Sequence, residues 1–343
     1  MNKENDMKLN EIDLSKTLMT SHLDADGTIP IVLNRFFQIN YAKELMSNYN
    51  EDLENDDLSS GLYDTIIYTD FTPNVRAREI IKEKNMKCLI IDHHESVKEE
   101  IEQFCKEYDR CEYIFNNEKC GSKLYYEWLL SENGYKGNKV ADYLITLTDT
   151  YDLYKKNDSL FSESDKLNRL LYSSAKWYIL KSNPTDRISA YETFINSMVW
   201  KLQNMNEFKF VTWEMEKIQG DIRKENELFE SIIGNASKEI STRKDCRGHY
   251  FILYNCKSKI SAIASRILDK YKKVDYCIIL NDYNPNDIKI SLRSRDNFDL
   301  LTLNHTSGHS NACGINADSV GDVTKFANDL KTKVIFELGY KEN

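Results

Sequence analysis

Seven residues in the first hundred positions have the types and spacing of a divalent-metal site. They arrive in three groups: His22, Asp24 and Asp26 within Ser21-His22-Leu23-Asp24-Ala25-Asp26-Gly27, Asp70 within Tyr68-Thr69-Asp70-Phe71, and the run Asp92-His93-His94. Carboxylates gathered in one place repel and raise one another's pKa values. A divalent cation removes that conflict, and a mixed carboxylate and imidazole set suits Mn²⁺ or a similar ion better than a thiolate-rich zinc site would. A carboxylate shared by two ions holds them about 3.5–4 Å apart, the spacing used for in-line displacement at phosphorus. Each group alone is weak, because Asp-x-Asp-Gly strings make turns and His-His pairs are often surface features. The combination is stronger: the chain has 6 histidines, and three of them stand beside Asp after strand-like segments.

The elements that must position these residues alternate in type. Leu18-Met19-Thr20 closes a strand, and apolar runs at Asp64–Thr69 and Met86–Ile91 read as two more, with a further strand at Glu112–Phe115. Helical patterns fall at Ile29–Met46, Val75–Lys84, Val97–Tyr108, Ser122–Ser131 and Val140–Thr148, and the acidic stretch Glu51–Ser60 reads as a surface loop. This order predicts an α/β domain with a doubly wound parallel sheet over residues 1–158. Residues just past the C-terminal strand ends of such a sheet share one crevice, so the three groups converge there. Residues 159–240 lose strand character and read as a helical connector. Residues 241–343 read as a smaller α/β domain, with strands at His249–Tyr254, Tyr276–Leu280 and Ile288–Leu292, a hairpin turn at Asn281–Asp287, and helices at Ile260–Lys272 and Val323–Phe336. The active site is expected in the cleft between the two domains.

The 343 residues suffice for about two domains. No run approaches the roughly 18–20 apolar residues needed to cross a bilayer, and the polar N-terminus lacks the apolar core of a secretory signal. The expectation is a cytoplasmic protein with no membrane partner. Of the 8 cysteines none forms a Cys-x-x-Cys pair, and several lie in apolar runs, so they read as small buried hydrophobes in a reducing compartment. A net charge of −9 without an obvious basic stripe argues against a grip on long nucleic acid. A short nucleotide substrate fits better.

With these motifs in place the chain resembles the DHH family of phosphoesterases, named for the Asp-His-His run. SHLDADG matches its first motif, the Asp of YTDFTP its second and IIDHHES its third; LITLTDTYDLY offers Asp149 or Asp152 for the fourth, with Asp149 preferred. The C-terminal part resembles the family's associated domain through SLRS, which supplies Ser291 and Arg293, and SGHSNACG, which supplies Gly308, His309 and Gly314. That loop has a single glycine before the histidine, where the family usually has several.

The resemblance implies two divalent ions, Mn²⁺ foremost with Mg²⁺ or Co²⁺ as alternatives. His22, Asp24 and Asp70 would hold one, and Asp26, Asp70, His93 and Asp149 the other, with Asp70 bridging. Asp92 would orient a histidine and His94 would face the phosphate, while Arg293 and His309 would cradle it from the second domain. The helical connector resembles a nano-RNase branch. That implies hydrolysis of short RNA or DNA oligonucleotides, or linear dinucleotides, to 5′-mononucleotides. A 3′-phosphoadenosine 5′-phosphate phosphatase, a cyclic-nucleotide phosphodiesterase and a non-enzymatic nucleotide-binding module are the alternatives. The sequence allows a homodimer without requiring one.

Overall fold

The structure, a computed structural model, describes residues 7–48, 51, 53–182, 184–239, 242–245, 247–256, 258–284, 287–295, 298–303, 307–309 and 311–317. The chain divides into two compact units, Met1–Gln219 and Gly220–Asn343, with the boundary inside a long helix.

The first unit is built on a five-stranded sheet of β1 (Thr17–His22), β2 (Lys43–Ser47), β3 (Thr65–Thr69), β4 (Lys87–Asp92) and β5 (Cys111–Phe115). The strand order is β2-β1-β3-β4-β5 and every pairing is parallel. All five residues of β3 are buried, as are five of the six in β1 and in β4, as expected of strands covered on both faces. On one face Leu18, Ile66, Tyr68, Cys88 and Ile90 join a core with Leu58, Ile80, Ile81 and Phe104. These last four come from α2 (Leu53–Ser59), α3 (Val75–Glu83) and α4 (Lys98–Glu107). The alternate residues Met19, Ile67, Leu89 and Ile91 are also fully buried. Helices α1 (Ala25–Phe37) and α5 (Gly121–Ser131) lie against the strands. Helices α6 (Lys139–Asp152) and α9 (Arg187–Asn204) pack on α1, and α7 (Phe161–Ser174) packs on α6 and α9. The short α8 (Trp177–Ser182) joins α7 to α9, and α10 (Thr212–Glu239) crosses the unit boundary.

Three local expectations are corrected. The helix read over Ile29–Met46 is α1 followed by a strand: Gln38 turns left-handed at φ 59° and closes α1, and Lys43–Ser47 then pairs with β1 as β2. The acidic loop at Glu51–Ser60 contains α2, which forms because Leu58 reaches the core. Cys105 and Cys111 are joined as a disulfide, whereas Cys88, Cys120, Cys256, Cys277 and Cys313 are buried.

The second unit carries a six-stranded sheet of β6 (Thr242–Lys244), β7 (Tyr250–Asn255), β8 (Tyr276–Asn284), β9 (Asp287–Ser294), β10 (Ser307–His309) and β11 (Ala312–Ala317), in the order β10-β11-β9-β8-β7-β6. Only β7 and β8 pair in parallel. Helix α11 (Ile260–Lys270) covers the sheet with Ile263 and Ile267 against Ile252, Cys277 and Ile279. The helix read over Val323–Phe336 lies outside the described residues.

Candidate metal centre

In the order β2-β1-β3 the chain crosses to opposite sides of β1, which makes the gap between β1 and β3 the point where the topology reverses. Helices that leave adjacent strands in opposite directions open a crevice at such a point. His22 ends β1 and Asp92 ends β4, while Asp70 follows β3 directly. Asp24 caps α1 by accepting from Gly27 N at 2.9 Å, and Asp26 stands in the first turn of that helix. Gly27 is required by close approach: a Cβ there would lie 2.0 Å from the His22 carbonyl oxygen.

The cluster centres on Asp70 and His93, both almost fully buried. His93 Nε2 lies 3.2 Å from Asp70 Oδ1, 3.4 Å from Asp152 Oδ2 and 3.9 Å from Asp26 Oδ2. His22 Nδ1 is 2.8 Å from Asp24 Oδ2 and 3.6 Å from Asp70 Oδ2. His94 Nδ1 lies 2.7 Å from Asp92 Oδ1. Three overlapping sets have ligand atoms within 4.8 Å of one another: His22, Asp24 and Asp70; Asp26, His93 and Asp152; and Asp70, Asp92, His93 and His94.

The electrostatics follow from this crowding. Burial and the neighbouring charges of Asp26 and Asp24 push the Asp70 carboxyl well above the usual range. Burial and the Asp26 charge do the same to Asp152. Burial opposes charging of His93, but Asp152, Asp26, Asp92 and Asp24 together outweigh it and raise its pKa. Asp92 is fully buried and Asp24 partly so, which would raise both carboxyls, yet the adjacent His22 and His94 hold each below its ordinary value. Asp152 Oδ2 is buried and has no hydrogen-bond donor among the described residues. A cation among these oxygens would reverse the penalty that burial and mutual repulsion impose, so the donor set fits divalent ions with oxygen and imidazole preference.

No family model matches the sequence. Among curated proteins the chain is 23% identical to a 3′,5′-cyclic-nucleotide phosphodiesterase of Helicobacter pylori, over 92% of this chain and 96% of that protein. Among solved structures, the DHH domain of a member of the s1p family of ribosomal proteins superposes with a TM-score of 0.59 and 14% identity. The match covers 96% of this chain and 87% of that one. This chain shares the fold of that DHH domain. RecJ of Thermus thermophilus, solved in complex with Mg²⁺, is also similar, with a TM-score of 0.42 and 13% identity over 93% of this chain and 49% of that one.

Within the first unit the structure brings together His22, Asp24, Asp26, Asp70, Asp92, His93 and His94, but not Asp149. Asp149 instead accepts from Cys120 N at 3.0 Å, Lys123 Nζ at 2.9 Å and Lys155 Nζ at 2.7 Å. Asp152, set aside in the sequence reading, stands beside His93. Two further positions escaped that reading. Gly121 N and Ser122 N, in the first turn of α5, donate to Asp26 at 2.7 and 2.9 Å and so aim its carboxylate. Gly121 also packs on Asp70, where an added Cβ would lie 2.7 Å from the Asp70 Cβ. Asp70 itself is left-handed at φ 61°, a conformation rare outside glycine that clusters at functional sites.

In the second unit, Ser291 and Arg293 of β9, Gly308 and His309 of β10 and Gly314 of β11 lie on three neighbouring strands. Arg293 pairs across with Ala312 and Ser291 with Gly314, while Gly308 faces Cys313 and His309 faces Ala312. The Arg293 guanidinium donates to Ser261 Oγ at 2.8 Å and to the Leu292 carbonyl at 2.7 Å.

Proposed function

We propose that the chain is a metal-dependent phosphodiesterase that hydrolyses short oligonucleotides or linear dinucleotides to 5′-mononucleotides, working in the cytoplasm with two Mn²⁺ ions. The observation that carries this reading is the set of buried carboxylates around His93, with Asp70 common to that set and to His22 and Asp24. His22, Asp24 and Asp70 would hold one ion, and Asp26, Asp70, His93 and Asp152 the other. When bound, such ions lower the pKa of water toward ~7 and stabilise charge developing on a phosphoryl group.

The remaining work falls to side chains of this chain. Asp92 is held ionised by its histidine neighbours, so it accepts only, and His94 Nδ1–H must donate to it. That would fix the His94 tautomer, with Nε2 the nitrogen proposed to meet the phosphate. By the resemblance to the DHH-associated domain, Ser291, Arg293, Gly308, His309 and Gly314 of the second unit would take part in phosphate binding, the planar guanidinium being of a shape suited to two phosphate oxygens. The net charge of −9 favours a short substrate over a long one.

A second reading, hydrolysis of a 3′,5′-cyclic nucleotide, is favoured by the similarity to the H. pylori phosphodiesterase. One panel separates them: purified protein with Mn²⁺, offered a linear dinucleotide, a single-stranded oligonucleotide, a 3′,5′-cyclic nucleotide and 3′-phosphoadenosine 5′-phosphate. Mononucleotides from the dinucleotide, abolished by EDTA and by Asp70→Ala, are expected. Preferential turnover of the cyclic nucleotide moves the assignment to the second reading, and no turnover on any member overturns both.

A further inference from the structure

Two lysines beside the metal centre are gathered by a carboxylate that the reading above leaves without a metal. Lys123 of α5 and Lys155, three residues past the end of α6, both donate to Oδ2 of Asp149, at 2.9 and 2.7 Å. Asp149 is buried, whereas the two lysine side chains are 30% and 39% exposed. Each ammonium has three N–H groups, and among the described residues Asp149 is the one acceptor that either finds. One carboxylate thus serves two cations, and a positive charge is left over. Because they share an oxygen atom, the ammoniums are close enough for a second oxygen to bridge them.

Two links along the chain fix this pair next to the metal centre. On α5 the amides of Gly121 and Ser122 hold Asp26 at 2.7 and 2.9 Å, and Lys123 is the next residue. On α6 Asp149 precedes Asp152 by three residues, which makes them neighbours on one helix face, and Asp152 Oδ2 lies 3.4 Å from His93 Nε2. The lysines therefore stand on the side of the centre formed by Asp26, His93 and Asp152.

We propose that Lys123 and Lys155 bind a second phosphate of the substrate, the one next along the chain from the phosphate under attack. This deepens the phosphodiesterase reading above and rests on it. A terminal phosphate fits because it carries a charge of about −1.5 to −2 and three acceptor oxygens, which meet the surplus charge and the unused N–H groups. Asp149 already restrains both side chains, so less rotamer freedom is lost on binding. The consequence is a substrate class: linear nucleotides with two phosphates, such as a dinucleotide phosphorylated at one end or a nucleoside bisphosphate. A 3′,5′-cyclic nucleotide has a single phosphate and leaves the pair empty. Lys119, which donates to Glu127 at 2.7 Å, is outside the pair and serves as a control.

The test measures KM in Mn²⁺ for a dinucleoside monophosphate and for the same compound with a 5′- or a 3′-terminal phosphate. The proteins are the parent, Lys123→Gln, Lys155→Gln, Lys123→Arg and Lys119→Gln. The parent should favour one phosphorylated form by about ten- to hundredfold in KM, the range of a hydrogen bond to a charged group. Lys123→Gln and Lys155→Gln should each remove most of that preference and leave KM for the unphosphorylated compound unchanged. Lys123→Arg should keep the preference, and Lys119→Gln should behave as the parent. A parent indifferent to the terminal phosphate, or an equal change in KM on all three compounds, overturns the inference. If the parent hydrolyses none of them the phosphodiesterase reading fails, and calorimetry decides the lysine site by itself. Adenosine 3′,5′-bisphosphate must then bind the parent more tightly than adenosine monophosphate, with the difference lost in Lys123→Gln; equal affinities overturn the site.

Discussion

Replacing Gly121 by alanine adds one methyl group at the tightest point of the metal centre. The new Cβ would stand 2.7 Å from the Asp70 Cβ and 2.8 Å from its Cα. Carbon atoms in contact prefer about 3.5–4.0 Å, so the overlap is about 1 Å. Neither side yields easily. Asp70 is held by its own amide, which donates to the Ile91 carbonyl at 2.9 Å, and by its left-handed backbone. Helix α5 is held by the two amides that Gly121 and Ser122 donate to Asp26. Relief must come from moving Asp70 or from releasing Asp26, and both belong to the proposed ligand set. Overpacking of this kind costs about 1–3 kcal/mol, or roughly 2–12 °C in the melting temperature of a unit this size. A displacement of about 1 Å at the reacting centre costs on the order of 10²-fold in rate. Calorimetric titration with Mn²⁺, steady-state hydrolysis of a dinucleotide and a thermal melt measure the three effects. A Gly121→Ala protein that melts, binds Mn²⁺ and turns over like the parent would refute the reasoning.

Asp152→Asn should weaken Mn²⁺ binding at least tenfold, whereas Asp149→Asn should leave Mn²⁺ affinity within a few-fold; the reverse order in a titration would restore Asp149 as the ligand. Glu214→Ala should destabilise the protein by about 3–5 kcal/mol, because it strands a buried ammonium: Lys201 and Glu214 are 1% and 0% exposed with 2.8 Å between them, and an unchanged denaturant midpoint would count against it. For pH dependence, burial alone would raise the Glu51 carboxyl. Hydrogen bonds and charge from Arg187, with help from Asn48, prevail and lower it to about 2. A depressed carboxylate stabilises the fold fully above its unfolded pKa near 4.5 and loses that contribution as pH falls toward 2. The urea midpoint of the parent should therefore fall more steeply between about pH 5 and about 2 than that of Glu51→Gln, and parallel curves would rule the linkage out.

What the sequence disclosed follows from burial on two faces. Strands β1, β3 and β4 stand out as short apolar runs because both of their faces are covered, and the ends of such runs place His22, Asp70 and Asp92 without further information. The edge strand β2 was hidden because Lys43 and Glu44 are only partly buried and the helical spacing of α1 runs on into Leu45 and Met46. Helix α2 was hidden because an acidic heptapeptide contributes one apolar side chain to the core, Leu58. The disulfide between Cys105 and Cys111 depends on α4 and β5 meeting side by side, which spacing does not state. Gly121 and Ser122 carry no motif of their own. Their importance lies in contacts to Asp26 and Asp70, residues far from them along the chain.

The choice between Asp149 and Asp152 shows how a helix end can divide two carboxylates between tasks. Both lie on α6, three residues apart and near its end, so periodicity ranks them alike. The N-terminus of α5 separates them. Its unpaired amides and the positive end of its dipole favour nearby anions, and three successive amides are shared out: Cys120 N goes to Asp149, and Gly121 N and Ser122 N go to Asp26. The other oxygen of Asp149 takes Lys123 and Lys155. Burial would raise the Asp149 carboxyl, but the two lysines and the Cys120 amide hold it low. A carboxylate neutralised on both oxygens has little left for a cation. Among the described residues neither a lysine nor a helix amide reaches Asp152, and its pKa is driven up by burial and by Asp26. It is therefore the carboxylate with most to gain from a metal ion. On this argument Asp149 acts as a brace, locking α5 so that Gly121 can press on Asp70 while Asp26 stays aimed at His93.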